Sequence, residues 1–303
     1  MSVSIEKTNF RGWPNSYRIS NGTVEAIVTG DVGPRVMRYA FVGGQNLFKE
    51  FDSQMGKSGE PDWQPRGGHR VWIAPEDPVR SYAPDNDAVR IDIDGGVLEA
   101  TQAVEPLTGL EKKIICKMQP EGSQIEVIHQ IRNAGATDCK IAAWTLTMMA
   151  PGGAGIHGFP PRGTHPEVLA PTNPLVMWAF TNLADPRWRL LQKYLVLLQD
   201  PKNSVPQKLG SFHPRTWGAY LLHGELFVKR TTAPAPPDQY PDFGCSFETF
   251  TNADFLELET LGPIATLHPG DSLTHTEQWS LHRDVRLDAW TDAELDRAIL
   301  PVV

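Results

Sequence analysis

The sequence has little cysteine and no long apolar stretch. Only three of its 303 residues are cysteines, and Cys116, Cys139 and Cys245 lie far apart with no CxxC spacing. The first seven residues lack the apolar run of a signal peptide, so we expect a cytoplasmic protein with reduced thiols rather than disulfides or cysteine-bound metal. No segment has enough consecutive apolar residues to span a membrane.

A clustered basic surface is also missing. The chain has 28 Lys and Arg against 36 Asp and Glu, which gives a net charge of -8. Binding to a nucleic-acid backbone needs clustered cations, so we expect no nucleic-acid partner. The histidines show neither the spacing of a zinc-binding helix nor that of a cupin-like cluster. The sequence therefore predicts no metal and no other cofactor.

Short alternating segments separated by turn residues fill most of the chain. Such regular spacing, with 26 Gly and 26 Pro between the segments, is typical of an all-β sandwich. We predict a single domain over residues 1–303. A helix is predicted at 288–299, and 185–192 is a second candidate. The main candidate strands are 17–19, 23–29, 36–42, 88–93, 96–103, 110–118, 125–132, 141–147, 194–199, 217–222, 226–230 and 272–281.

The most informative pattern is near the C-terminus, where Leu256 and Leu258 alternate with Glu257 and Glu259. In a strand, this alternation places both leucines in a core and both carboxylates on the opposite face. Two like charges on one face resist burial. One interpretation is a solvated outer sheet face. The other is a site where the carboxylates do chemistry.

A second informative stretch is Gly67–Glu76, which contains His69, Arg70 and Trp72 directly after two glycines. Arg offers a planar fork of donors, His exchanges a proton near neutral pH, and Trp offers a flat apolar face to a sugar ring. The alternative interpretation is a tight turn in which Arg70 pairs with a nearby carboxylate and Trp72 belongs to the core.

Five further residues are candidates for lining the same site. His129 lies on an alternating strand, where a structural role is the alternative. Lys208 and Asp242 together suit an anionic sugar, although an exposed Lys208 and a turn-capping Asp242 explain them as well. Tyr240 adds an aromatic ring to the same region. Glu248 rivals Glu259 as a catalytic base.

With these motifs the sequence resembles the galactose-mutarotase-like (aldose 1-epimerase-like) superfamily, and within it most closely an uncharacterised branch. The resemblance covers nearly the whole chain. The segments that carry it are 19–25, 33–38, 67–72, 145–153, 256–263, 269–270 and 277–279.

The resemblance implies a β-supersandwich that binds a small-molecule carbohydrate and interconverts its anomers. It implies Glu259 as general base. From the residues themselves we expect His69 to be a general acid or orienting donor, Arg70 a hydroxyl clamp and Trp72 a stacking platform. Mutarotases carry their acid in a Leu-Thr-Asn-His motif, but this chain has Leu-Thr-Met-Met at 146–149. The alternatives are a non-catalytic sugar-binding protein and a domain related to carbohydrate hydrolases or lyases.

Overall fold

A computed structural model describes residues 2–303, of which 44% are in strands and 7% in helices. The chain forms two compact units. The first runs to Met148 and includes Ile264–Ser280, and the second comprises Met149–Pro263 and Leu281–Val303. The all-β prediction is confirmed, whereas the single domain stays a prediction. Among residues 2–303, no helix combines the length and the apolar character that crossing a membrane requires.

The first unit contains two antiparallel sheets. A strand whose residues fall in both units is assigned to the unit that holds most of them. Its strands are β1 (Ser4–Phe10), β2 (Trp13–Ser20), β3 (Val24–Thr29), β4 (Arg35–Phe41), β5 (His69–Ala74), β6 (Arg90–Asp94), β7 (Val97–Thr101), β8 (Leu110–Met118), β9 (Ile125–Asn133), β10 (Cys139–Met149), β20 (Ala265–Leu267) and β21 (Ser272–His282). One sheet has the order β1-β2-β3-β4-β5-β10, with β20 also paired to β10. The other has the order β21-β9-β8-β7-β6.

The second unit also contains two antiparallel sheets. Its strands are β11 (Ala154–Gly158), β12 (Leu175–Met177), β13 (Trp188–Leu190), β14 (Tyr194–Leu198), β15 (Gln207–Ser211), β16 (Trp217–Leu222), β17 (Glu225–Arg230), β18 (Phe247–Thr251) and β19 (Leu256–Leu261). One sheet has the order β19-β18-β15-β12, and the other has the order β13-β14-β11-β16-β17.

Helices are few and short. The predicted helix at 288–299 is confirmed in a shorter form as α2 (Asp292–Ala298), whose first turn is capped because the Thr291 side chain accepts from the Glu294 amide. The helix considered at 185–192 is wrong, because Trp188–Leu190 pairs with β14 as a strand. The remaining helical segments are α1 (Pro241–Gly244) and three 3-10 turns at Asp52–Gln54, Pro237–Gln239 and Leu300–Val302.

The two sheets of the first unit pack face to face around Trp279. This residue lies on β21, and its ring contacts Tyr39 of β4 at 5.8 Å and Phe48 at 5.7 Å between centroids. On β9 the residues alternate between buried and half-buried. Period-two alternation therefore sets which side chains of this unit lie between its sheets.

The two sheets of the second unit approach closely at glycine. A Cβ on Gly218 of β16 would lie 2.4 Å from the Phe247 ring, and one on Gly155 would lie 2.9 Å from Leu256. His157 lies in β11 and its ring stacks on the Phe247 ring at 4.1 Å between centroids. Burial lowers the pKa of His157 to about 3, so this ring is a neutral part of the core.

A buried ion pair anchors the segment that leads into β5. Arg35 is fully buried, and its Nε and Nη2 both donate to the Asp85 carboxylate at 3.0 Å. The same guanidinium donates to the carbonyls of Pro65 and Gly67. Burial alone would raise the pKa of Asp85, but the Arg35 charge outweighs it and holds that pKa below its usual value.

We expect Asp85→Asn to lower the free energy of unfolding by about 3–5 kcal/mol, because it leaves a buried guanidinium without its counter-charge. Urea unfolding at neutral pH measures this change. Asp92→Asn is the matched control, since its pair with Arg90 is exposed, and it should change stability by less than about 0.5 kcal/mol. Equal effects of the two substitutions would contradict a structural role for the buried pair.

The same pair predicts an acid-dependent loss of stability. Because the folded pKa of Asp85 is lowered, its contribution is complete above the unfolded pKa of about 4 and is lost as the pH falls through the folded pKa. Unfolding followed at several pH values should show a smaller acid-dependent loss in Asp85→Asn than in the wild type. Parallel curves for the two proteins would be inconsistent with this linkage.

Candidate functional site

Two carboxylates and a lysine, here called the carboxylate–lysine cluster, meet on one face of the second unit. Glu248 of β18 lies directly opposite Glu259 of β19, and Lys208 is on the neighbouring strand β15. The Lys208 Nζ lies 2.8 Å from Glu248 Oε2 and 2.9 Å from Glu259 Oε2. Lys208 is 5% exposed, and both glutamates are completely buried.

Strand alternation explains why these side chains share a face. Leu258 and Leu256 point to the other face, where Leu256 packs near Gly155 of β11. Glu257 and Glu259 therefore point away from that core, as the sequence predicted. Both are buried rather than solvated, so the interpretation of a solvated outer face is wrong for this pair. The exposed Lys208 considered as an alternative is also wrong.

The electrostatics of the cluster favour a protonated carboxyl beside a charged lysine. Burial raises the pKa of Glu248 well above its usual value, and the charges of Glu259 and Asp242 raise it further, against the effect of Lys208. For Lys208, burial lowers the pKa, but the two carboxylates outweigh burial and raise it. No hydrogen-bond partner is found for Glu248 Oε1 within residues 2–303. Glu248 therefore offers an acidic proton in a desolvated setting.

A left-handed turn follows the Pro-rich loop beside the cluster. Asp242 and Phe243 have φ of 52° and 59°, and Phe243 is 92% exposed. The Cys245 thiol contacts the Asp242 carbonyl, and burial raises its pKa. Tyr240 is buried and packs on Phe212 at 5.4 Å. Thus Asp242 acts on the cluster through its charge, while the Tyr240 ring is part of a small core.

The sequence argument missed Trp178 and Cys245. The Lys208 ammonium lies 4.7 Å from the centre of the Trp178 ring, a cation–π contact. A Cβ on Gly210 would lie 2.5 Å from the Cys245 sulfur and 3.2 Å from Trp178. Glycine inside a strand is a sign of close approach by other groups. Gly210, two residues after Lys208, therefore indicates that other groups approach this strand closely. It does not indicate which groups these are.

In the first unit, the structure places His69 and Arg70 on opposite faces of β5. The His69 ring contacts Trp279 at 4.6 Å between the sheets of that unit. Arg70 instead lies over Trp72 and Trp63, with its guanidinium carbon 4.6 and 5.2 Å from the ring centres. The two side chains therefore do not share one face of β5, and the roles predicted for His69, Arg70 and Trp72 stay predictions.

His69 and His129 contact each other in the interior of the first unit. Their Nε2 atoms are 2.7 Å apart, and both rings are completely buried. His129 also bonds through Nδ1 to the His275 carbonyl at 2.9 Å. The two histidines thus belong to a buried polar network. At the end of β10, the buried Met148 and Met149 contribute no titratable group to it.

We expect Lys208→Met to destabilise the protein by about 3–5 kcal/mol, because it leaves the buried carboxyl pair without its cation. Glu248→Gln should be close to neutral at pH 7, because glutamine resembles the protonated acid in shape. Glu259→Gln removes the remaining carboxylate, so combining it with Lys208→Met should recover part of the loss. Urea unfolding of these variants and of Glu259→Gln alone checks this expectation. Additive effects would argue against the shared charge.

No model of a known protein family matches the chain, and no curated protein matches it in sequence. Solved structures do match. The Slr1438 protein of Synechocystis sp. PCC 6803 is 12% identical with a TM-score of 0.60, covering 92% of this chain and 99% of its own.

Two further structures agree in fold. A galactose mutarotase-like protein from Lactobacillus casei is 9% identical, with a TM-score of 0.57 and coverage of 88% and 99%. A protein from Escherichia coli K12, provisionally named an aldose 1-epimerase, is 13% identical, with a TM-score of 0.54 and the same coverage. At such identities the likeness concerns fold alone. The chain therefore has the all-β, galactose-mutarotase-like β-sandwich fold that its sequence predicts.

Proposed function

We propose that the chain binds a carbohydrate at the carboxylate–lysine cluster and interconverts its anomers by general acid–base catalysis. One observation carries this proposal. Glu248 and Glu259 occupy facing positions on neighbouring strands and share the Lys208 ammonium. Two carboxyl groups whose environment separates their protonation states are a recurrent acid–base arrangement.

The chemistry of mutarotation assigns a role to each member. A base must take the proton of the anomeric hydroxyl, and an acid must protonate the ring oxygen, so that the ring opens and recloses. Glu248 holds a proton because its pKa is raised, so it serves as the acid. Glu259 lies directly opposite Glu248 and 2.9 Å from the Lys208 ammonium, and it serves as the base.

In this proposal the general acid is Glu248, in place of the His69 expected from the sequence. The His69 ring lies in the interior network of the first unit, whereas Glu248 lies directly opposite the proposed base. Two proteins of similar fold are named a galactose mutarotase-like protein and, provisionally, an aldose 1-epimerase. Both names agree with the proposed reaction class. The roles of Arg70 as a hydroxyl clamp and of Trp72 as a stacking platform stay predictions from the sequence.

A non-catalytic sugar-binding protein is the second candidate. The sequence Leu-Thr-Met-Met at 146–149 stands where the resemblance implies a catalytic histidine. Under this alternative the cluster would hydrogen-bond sugar hydroxyls without transferring protons. The two candidates differ in one measurable property, which is the rate of anomer exchange.

The test measures anomer exchange of a panel of aldoses by polarimetry and saturation-transfer NMR, with sugar binding measured by calorimetry on the same samples. We expect Glu248→Gln and Glu259→Gln each to lower the exchange rate at least about 100-fold, because general acid–base contributions have that size. Asp254→Asn is the control, since its exposed carboxylate lies in the loop before β19, and it should keep full activity.

Three outcomes decide between the candidates. Wild-type binding without any acceleration of exchange would establish the sugar-binding protein. Full activity in both glutamine variants would place catalysis elsewhere in the chain. Neither binding nor exchange with any aldose would reject the proposal as a whole.

A further inference from the structure

The buried network of the first unit contains three groups that can ligate a metal ion. His69 lies on β5, His129 on β9 and Glu277 on β21, and all three are completely buried. One ligand atom from each lies within 4.8 Å of the others. The three strands come from both sheets of the unit, so only the folded unit assembles the set.

The other polar atoms of these groups are held by neighbours in the same unit. The His275 carbonyl can only accept, so His129 Nδ1 carries the proton and its Nε2 presents a lone pair. His69 Nδ1 bonds to the Thr147 hydroxyl at 2.8 Å. Partners of this kind fix the tautomer and orientation of metal-ligating histidines.

The carboxylate is oriented in a similar way. Glu277 Oε1 accepts from the Thr145 hydroxyl at 2.7 Å, and Oε2 accepts from the Trp279 indole at 2.8 Å. A carboxylate oxygen has two acceptor lone pairs. A divalent cation at this point would also offset the cost of burying the carboxylate charge.

The spacing suits a small ion. The Nε2 atoms are 2.7 Å apart, and His69 Nε2 is 3.9 Å from Glu277 Oε2. One ligand atom from each residue lies within 4.8 Å of the others, so a single small ion can lie between all three. At zinc–nitrogen bond lengths of about 2.0–2.1 Å and a tetrahedral angle, two ligand nitrogens lie about 3.3 Å apart. The two imidazoles would therefore have to separate by about 0.6 Å to serve as ligands of one zinc ion.

We propose that His69, His129 and Glu277 form a structural binding site for a divalent first-row transition ion, with Zn²⁺ the ion best suited to the ligands. Imidazole and carboxylate donors fit zinc, and ligands drawn from both sheets of the unit suit a structural role. Its role is to join the two sheets of the first unit. This inference is independent of the carbohydrate proposal, because none of its three ligands belongs to the carboxylate–lysine cluster.

The test begins with metal analysis of the full chain, expressed in medium supplemented with zinc and desalted. We expect about one zinc ion per chain, because a buried site of this kind releases its ion slowly. Extended X-ray absorption at the zinc edge should show two imidazole ligands. Chelation should lower the thermal unfolding midpoint, and added Zn²⁺ should restore it.

Two variants localise the ion. His129→Asn keeps a donor near the position of Nδ1 but removes the Nε2 ligand, and Glu277→Gln removes the carboxylate charge. Both should reduce the zinc content to roughly a tenth or less of the wild type. His268→Asn is the control, because His268 is an exposed residue paired with Asp138, and it should leave the zinc content unchanged.

The proposal fails if the wild type holds no ion and neither chelator nor added Zn²⁺, Co²⁺ or Mn²⁺ shifts its unfolding midpoint. The Nε2–Nε2 contact would then be a hydrogen bond. It also fails if His129→Asn retains the wild-type zinc content, which would place the ion elsewhere. If neither variant folds, the absorption spectrum of the wild type decides alone, and a spectrum without imidazole ligands overturns the site.

Discussion

The ammonium group of Lys208 holds two buried carboxyl groups together, and the function proposed for the second unit depends on that interaction. Glu248 and Glu259 face each other across neighbouring strands, a placement that would be repulsive if both were ionised without a cation. Lys208 is within 2.9 Å of both. One cation cannot balance two buried anions, and burial raises the pKa of Glu248. The arrangement that lets the fold accommodate these carboxyl groups is therefore also the one on which the proposed acid–base pair depends.

Strand alternation determines which polar groups can cooperate. On β19 it sends Leu258 to the core and Glu259 to the face that carries Lys208. On β5 it sends His69 between the sheets and Arg70 to the opposite face. Adjacent residues of a strand therefore belong to different environments, although they look like one motif in the sequence. This separation is why His69 contacts Trp279 in the interior network, whereas Arg70 lies over the Trp72 ring.

Much of the fold could be predicted, because alternation is a local property that the sequence records directly. The strand at Leu256–Leu261 is one example, and the buried face of β9 is another. The site could be predicted only in part. Glu248, Glu259 and Lys208 were each candidates, but their shared ion pair depends on the order of β15, β18 and β19. Sequence spacing does not contain that order, nor does it reveal the buried Arg35–Asp85 pair. Trp178 was missed for the same reason, because its contact with Lys208 is set by tertiary structure.

The missing motif histidine is a weaker argument against catalysis than the sequence suggests. A general acid needs a proton that is available near neutral pH. An imidazole has such a proton, and desolvation can give one to a carboxyl group by raising its pKa. Burial and the charges of Glu259 and Asp242 act on Glu248 in that direction. In contrast, burial makes His157 a poor proton carrier by lowering its pKa to about 3. In this chain, environment rather than residue type decides which group can donate a proton. The absence of histidine at 146–149 therefore leaves acid–base chemistry open to the paired glutamates.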